Sequence, residues 1–252
     1  MSGPAENFWT TLPLGRGVQI LNRDANGVVA LIKPAGILSH PNTPGETGRS
    51  LLQAGYDLET EAYAWNGVDG LTCRLHLLNR LDSATSGVIL ACADTGLAQV
   101  IRAQFKRKQV RKVYQALVFG RPAQSRQLWR DRLAVVKRGE TIRTAAGGNV
   151  PAECEMTVVR AGGKESGVTL IRLEPRTGRS HQLRVQCAHH HLPIVGDQTY
   201  GDFPRNREFA RLAGTKRMFL HSQGTDFAYE HGGRKYNFAA QAPLPLEFEQ
   251  FL

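Results

Sequence analysis

The chain has 252 residues, 41% of them hydrophobic, and its mean hydropathy is −0.32, which is an ordinary globular composition. No apolar run approaches the roughly 18 residues of a membrane-spanning helix, and the polar start lacks the pattern of a secretory signal, so we expect a cytoplasmic protein without membrane contact. Lys and Arg number 32 against 22 Asp and Glu, a net charge of +10. This excess suits a polyanionic partner, although a basic protein without a nucleic-acid partner would have the same charge.

Short strands dominate the predicted elements. Residues 1–17 predict a poorly ordered tail, and 18–252 a single α+β domain in which helices flank a largely antiparallel sheet. Two strands surround the turn 24–27, and Val88–Cys92 is a buried strand. Asp94 or Thr95 can then cap a helix, because apolar residues recur after them at helical spacing.

The second half of the chain continues this pattern. A strand is predicted at 113–119, whereas 121–150 is basic, interrupted by glycines and interpreted as an irregular excursion with short strands. A hairpin through 161–163 joins strands at 156–160 and 168–174. Ser180 opens a short helix to about His190, and late strands follow at 218–220 and 227–229.

Neither the cysteines nor the histidines predict a metal site. The cysteines are far apart and form no CxxC pair, so we expect reduced and mostly buried thiols at Cys73, Cys92, Cys154 and Cys187. The run His189–His191 suggests a metal at first. Neighbouring histidines point to different sides of a helix, however, and no other ligand motif accompanies them, so no metal is predicted.

The segment 75–87 is the first with chemical content. It places Arg80 and Asp82 two residues apart in a polar loop that leads into a buried strand, which is a common position for catalytic groups. A surface turn with a local ion pair explains the same residues more simply. The residue types alone favour that interpretation over a catalytic loop.

The order of three motifs resembles the RluA-type pseudouridine synthases. These motifs are Arg-Leu-Asp-x-x-Thr-Ser-Gly at 80–87, Lys-x-Tyr-x-Ala-Leu-Val-x-Gly at 112–120, and Arg-x-Gly-Arg-Ser-His-Gln-Leu-Arg within 176–184. Flanking matches at 33–36, 193–197, 200–201 and 242–245 extend the resemblance over about 18–250. The chain departs from the family pattern at Asn79, at Ser83-Ala84 and at Gln186, which affects expected substrate contacts more than expected chemistry.

The resemblance implies a pseudouridine-synthase-like domain with an RNA-binding cleft, and an enzyme that isomerises uridines in ribosomal or transfer RNA. A carboxylate can assist cleavage at the anomeric carbon by attacking it or by stabilising an oxocarbenium-like state, and the resemblance assigns this role to Asp82. It implies that Arg184 pairs with this carboxylate and that Tyr114 is the active-site aromatic residue. No cofactor is expected, and we expect a monomer without an obligatory protein partner.

A base inside folded RNA must be flipped out of its stack, and the resemblance implies that Arg80 assists this step. Further expected RNA contacts are Thr85, Lys106, Arg107, Lys108, Lys112, Arg179 and His181. The cationic run 102–112 is interpreted as a contact to the RNA backbone, with a solvated helix end as the alternative. Two other functions stay open: an inactive RNA-binding protein on the same scaffold, and a hydrolase that uses Ser86 or Ser180.

Overall fold

A computed structural model describes residues 6–138, 141–162 and 167–252, without the side chains of 135–143. The chain forms two compact units. Unit 1 contains the residues up to Val110 together with Gly224–Ala242, and unit 2 contains Arg111–Gln223 together with Pro243–Leu252. No linker composition marks a boundary in the sequence, which therefore predicted one domain; one of the passages between the units lies inside the strand Leu220–His231.

Unit 1 is a mainly antiparallel sheet with one long helix. Its elements are α1 (Glu6–Thr10), β1 (Gln19–Arg23), β2 (Val28–Lys33), a 3-10 helix (Pro44–Arg49), β3 (Gly55–Asp57), β4 (Ala62–Asn66), β5 (Thr72–Leu77), β6 (Ser86–Cys92) and α2 (Thr95–Lys106). Strands β3 to β6 pair in chain order, and β2 pairs with both β1 and β6. The predicted strands on both sides of the turn 24–27 are therefore confirmed.

The core of unit 1 lies between its sheet and α2. Buried residues of β2 and β6 pack against Leu97, Ala98 and Ile101 of the helix. Helix α2 begins where the sequence predicted, because the Asp94 side chain accepts a hydrogen bond from the Leu97 amide at 2.6 Å. Residues 6–17, assigned to a tail from the sequence, include α1, whose Trp9 is buried.

Unit 2 is an antiparallel sheet with helices on both faces. Its elements are β7 (Arg111–Phe119), β8 (Arg126–Arg138), β9 (Thr141–Ala146), β10 (Val150–Ala161), β11 (Val168–Pro175), α3 (Gln182–His189), α4 (Phe203–Ala213), the first part of β12 (Leu220–His231) and, after β13 (Arg234–Gln241) in unit 1, α5 (Leu246–Glu249). The sheet order is β7-β11-β10-β8-β9. The segment 121–150, predicted as an irregular excursion with short strands, does contain strands but is more regular than expected, since most of it belongs to β8 and β9. Part of the predicted turn 161–163 lies outside the described residues.

The two faces of the unit 2 sheet differ in what covers them. The face that carries Tyr114 packs against α3, where the His190 ring stacks on Trp129 of β8 with centroids 4.5 Å apart. The other face carries Leu117, which packs with Phe209 of α4 and Phe248 of α5. These contacts define a helix face with α3 and an opposite face with α4 and α5.

Both units fit the predicted fold class. The sheets described above are antiparallel and helices flank them, so the α+β prediction is confirmed. The four cysteines are free, and all except Cys73 are buried, as expected. None of the helices among the described residues is long and apolar enough to cross a membrane.

Candidate active site

Asp82 lies in the loop between β5 and β6 of unit 1. The residues on both sides of it are held by hydrogen bonds to Ser39 and Gly36. Leu81 is bound through its amide and its carbonyl to the hydroxyl of the buried Ser39, at 3.0 and 2.7 Å. The carbonyl of Ser83 accepts the Gly36 amide at 2.7 Å. The loop therefore presents a half-buried Asp82 from an anchored backbone.

A buried lysine completes this anchor. The Lys33 ammonium group has no exposed surface and donates to three carbonyls, those of Pro34 at 3.0 Å, Ile37 at 2.6 Å and Ser83 at 3.0 Å. Burial lowers the pKa of Lys33 to about 7, although the negative charge of Asp82 opposes this shift. Lys33 is thus a site residue to which sequence reasoning gave no role, although its motif at 33–36 was noted.

The departure at Asn79 has a structural explanation. Its side-chain oxygen accepts the Leu90 amide of β6 at 2.8 Å, beside the backbone bond from the Leu78 amide to the Leu90 carbonyl. Asn79 therefore holds the start of the loop against a central strand. The Asn79 side chain thus stabilises the backbone at the start of the loop.

Arg80 is exposed at the front of the same loop and contacts a stacked aromatic pair. Its Nη1 lies 3.4 Å from Nε2 of His40, and the His40 ring stacks on Tyr56 with centroids 4.6 Å apart and planes 7° apart. His40 Nδ1 lies 3.1 Å from the Pro41 carbonyl. A carbonyl can only accept, so Nδ1 carries the proton and Nε2 is left to accept from Arg80.

The other expected RNA contacts in unit 1 differ in exposure. Thr85 is buried and its amide donates to the Asp82 carbonyl at 3.0 Å; its contact with RNA stays a prediction. Lys106, Arg107 and Lys108 are all exposed at the end of α2. Arg102, part of the same cationic run, instead donates to the carbonyls of Leu77, Thr60 and Glu61 and serves the fold of unit 1.

In unit 2, Tyr114 and Lys112 of β7 lie on the helix face of the sheet. They share this face because alternate residues of a strand point to the same side. The Lys112 ammonium donates to the carbonyl of Thr177 at 3.2 Å, and burial lowers the pKa of Lys112. Lys112 therefore holds the loop before α3. A contact of Lys112 with RNA stays a prediction.

Arg184 forms a bidentate ion pair within unit 2. Its Nε and Nη2 donate to the two carboxylate oxygens of Asp197 at 2.7 and 2.8 Å, and its guanidinium lies 5.0 Å from the centroid of the Tyr200 ring. Asp197 also accepts the amides of Thr199 and Tyr200. Burial opposes ionisation of Asp197, but Arg184 and these amides outweigh it and keep the pKa of Asp197 below its usual value.

The role of Asp197 was missed in the sequence, although the segment 193–197 was part of the resemblance. The two partners are 13 residues apart, on α3 and on the loop after it, and nothing local in the sequence pairs them. The family resemblance implies a pairing of Arg184 with Asp82. That pairing stays a prediction.

The turn before α3 is held by side-chain hydrogen bonds of Gln182 and His181. Gln182 accepts from the Thr177 hydroxyl at 2.7 Å and from the Arg179 amide at 3.0 Å. His181, in the left-handed conformation at φ 54°, has Nδ1 2.9 Å from the Tyr200 hydroxyl. Helix α3 thus begins at Gln182, two residues after the predicted Ser180, while Arg179 stays exposed on the turn.

Comparison with known proteins connects this arrangement to one family. A family model described as RNA pseudouridylate synthase matches residues 27–189, which include both the Asp82 loop and α3. The chain belongs to the RNA pseudouridine synthase family. It is therefore an RNA-modifying isomerase, which converts uridine to pseudouridine, as the resemblance predicted.

Individual relatives of this pseudouridine synthase cover nearly its whole length. A tRNA pseudouridine synthase C from Yersinia pestis is 31% identical over 91% of this chain and 88% of its own. A ribosomal large subunit pseudouridine synthase C from Buchnera aphidicola is 28% identical over 96% of this chain and 74% of its own. The solved structure of human RNA pseudouridylate synthase domain containing 1 has a TM-score of 0.65 at 23% identity, covering 90% of this chain and 84% of its own, and supports the fold.

Proposed function

We propose that this pseudouridine synthase modifies uridines in transfer or ribosomal RNA and that the Asp82 carboxylate assists cleavage of the glycosidic bond. Relatives are named for each of these RNA classes, and the one named for transfer RNA matches over most of both chains. We further propose that the enzyme acts in the cytoplasm as a monomer and without a cofactor.

The reaction needs bond exchange without a change of oxidation state. The bond from N1 of uracil to C1′ of the ribose breaks, the base turns, and a bond forms from C5 to C1′. The proton that leaves C5 is balanced by the proton that N1 gains. An anion close to C1′ can assist either as a nucleophile or by stabilising the positive charge that develops on the sugar.

The position of Asp82 supports this assignment. Its carboxylate is half-buried on a loop whose flanking residues are bound by Ser39 and Lys33, so its position is set by the fold. A nucleophile held in this way loses little conformational freedom when the substrate binds. The anchoring of the Asp82 loop is the observation on which the proposal depends most.

Tyr114 and Arg184 have supporting roles in this proposal. Tyr114 stacks on the detached base and relays a proton. Arg184 is fixed by Asp197 through Nε and Nη2, which orients the remaining edge of its guanidinium. A pairing of Arg184 with the catalytic carboxylate would keep that carboxylate ionised.

Pseudouridine mapping in a strain without the gene tests the proposal. Returning the wild-type gene should restore pseudouridine at one or a few positions, and the RNA class in which they lie decides between transfer and ribosomal RNA. The Asp82→Asn variant should bind RNA and restore none. Restoration by this variant to within tenfold of wild type would overturn the role of Asp82.

A further inference from the structure

The opposite face of the unit 2 sheet carries a cluster of arginines over glutamates where α4 and α5 do not cover it. The side chains share this face because of the strand register, which pairs Glu155 with Glu174 and with Leu128. We call this cluster the guanidinium ladder; its arginines are Arg111, Arg126, Arg130, Arg172 and Arg176, and its glutamates are Glu153, Glu155 and Glu174.

Each glutamate of the ladder contacts two arginines. Glu174 lies 2.9 Å from both Arg111 and Arg172. Glu153 binds Arg176 at 2.7 Å and lies 3.7 Å from Arg130. The carboxylates therefore bridge the guanidinium groups of neighbouring strands.

The third glutamate repeats this arrangement. Glu155 binds Arg126 at 2.6 Å and lies 3.9 Å from Arg176. Its side chain is 22% exposed, whereas those of Arg126 and Arg130 are 72% and 71% exposed. The carboxylates thus lie close to the sheet, and the guanidinium groups extend further into the solvent.

A purely stabilising role explains this surface poorly. Exposed ion pairs contribute only about 0–1 kcal/mol each to the free energy of unfolding. Stability alone is therefore a weak reason for a cluster of this size. A stabilising network would also balance its charges, whereas around Glu153 and Glu155 the ladder brings three arginines to two carboxylates. The surplus is positive and lies on the outside.

We propose that the guanidinium ladder binds the phosphate backbone of the RNA substrate outside the region that holds the target uridine. An arginine has five N–H donors in a planar fork, so it can bind a carboxylate with one edge and a phosphate with another. The glutamates hold the guanidinium groups in place before RNA arrives, which reduces the entropy lost on binding. Tyr114 is on the other face of the same sheet, so the ladder contacts a different part of the RNA.

The test removes the two most exposed arginines. The double variant Arg126→Gln/Arg130→Gln is compared with wild type for binding of unfractionated transfer RNA over a series of potassium chloride concentrations. Each lost phosphate contact should reduce the log–log salt slope by about 0.7–0.9. Two lost contacts therefore predict a slope lower by about 1.4–1.8 and weaker binding at low salt.

The matched control removes two exposed cations elsewhere. Arg234→Gln/Lys235→Gln changes the net charge by the same amount on β13 of unit 1, and its slope should stay close to that of wild type. Thermal unfolding checks that each variant is folded, and the single variants Arg126→Gln and Arg130→Gln replace the double variant if it is not. A ladder variant whose slope matches that of wild type, or whose loss equals that of the control, would overturn the proposal. Because this binding assay does not depend on Asp82, it can fail while the catalytic assignment holds.

Discussion

The ammonium group of Lys33 donates a hydrogen bond to the carbonyl of Ser83, the residue directly after Asp82. The lysine belongs to the end of β2, whereas Ser83 lies 50 residues later in the loop before β6. The buried amino group of Lys33 thus fixes the backbone of the proposed catalytic loop, and its protonated form places a positive charge near Asp82. This relationship makes predictions for both activity and stability.

The variant Lys33→Met should lose most of its activity while keeping its fold, because three carbonyls lose their donor and the loop loses an anchor. A displacement of about 1 Å at a reacting group can cost roughly a hundredfold in rate. Single-turnover rates on the identified RNA measure the loss, and circular dichroism checks the fold. Activity within a factor of two or so of wild type would show that Ser39 alone holds the loop.

The same variant has a pH signature. The pKa of Lys33 is about 7 in the folded protein against 10.5 as the ordinary value, so between these limits the unfolded chain binds more protons. The free energy of unfolding of the wild type should therefore rise with pH from about 7 towards 10, relative to Lys33→Met. Urea unfolding of both proteins at the two ends of this range measures the difference, and parallel pH curves would contradict it.

Asp197→Asn should destabilise unit 2, because the buried guanidinium of Arg184 loses its bidentate carboxylate partner. Removing one partner of a buried pair costs about 3–5 kcal/mol. The pKa of Asp197 is lowered by folding, so its stabilising effect is present above the ordinary carboxyl pKa and is lost as the pH falls through the lowered value. The difference between variant and wild type in urea unfolding should be large at neutral pH and shrink in acid; a constant difference would argue against ionisation of Asp197.

Local signals predicted the elements that local interactions determine. Asp94 and the apolar residues after it predicted α2, and in the structure the Asp94 side chain caps this helix. A comparable signal for α4 was missed: Asp202 caps it, a proline occupies its first turn, and Gly214 ends it in the left-handed conformation. Its polar composition concealed the helix, although its start and end signals were present.

Long-range partners could not be predicted from the sequence. The strand β8 looks irregular because charged residues such as Arg126 and Arg130 interrupt it, and their glutamate partners lie on β10, more than twenty residues later. Asp197 and Lys33 were likewise visible only as members of motifs. Their contacts with Arg184 and Ser83 depend on the tertiary fold, which no local sequence pattern encodes.

The exposed cations at the end of α2 should contact the RNA backbone. Arg107→Ser/Lys108→Ser should lower the log–log salt slope of RNA binding by about 0.7–0.9 for each lost phosphate contact. Arg234→Ser/Lys235→Ser removes the same two residue types from β13 and is the matched control. Equal slopes for the two variants would identify the helix end as a solvated surface, the alternative left open by the sequence. Adding Lys106→Ser to the α2 variant extends the comparison to the whole run.

Arg80 lies at the front of the Asp82 loop, where it contacts His40. If Arg80 fills the gap left by a flipped base, Arg80→Ala should slow turnover on a structured RNA more than on a short flexible one, because extracting a stacked base costs on the order of a few kcal/mol and less when the base is already unstacked.

His40→Phe should show a weaker form of the same selectivity. Phenylalanine preserves the stack on Tyr56 but has no nitrogen to accept from Nη1 of Arg80, so the guanidinium loses its orientation while the loop keeps its packing. The measurement is the ratio of variant to wild-type single-turnover rates on each RNA. Equal ratios on the two RNAs for Arg80→Ala would mean that this arginine only orders the loop. A normal rate for His40→Phe alongside a selective Arg80→Ala would mean that Arg80 acts without the histidine.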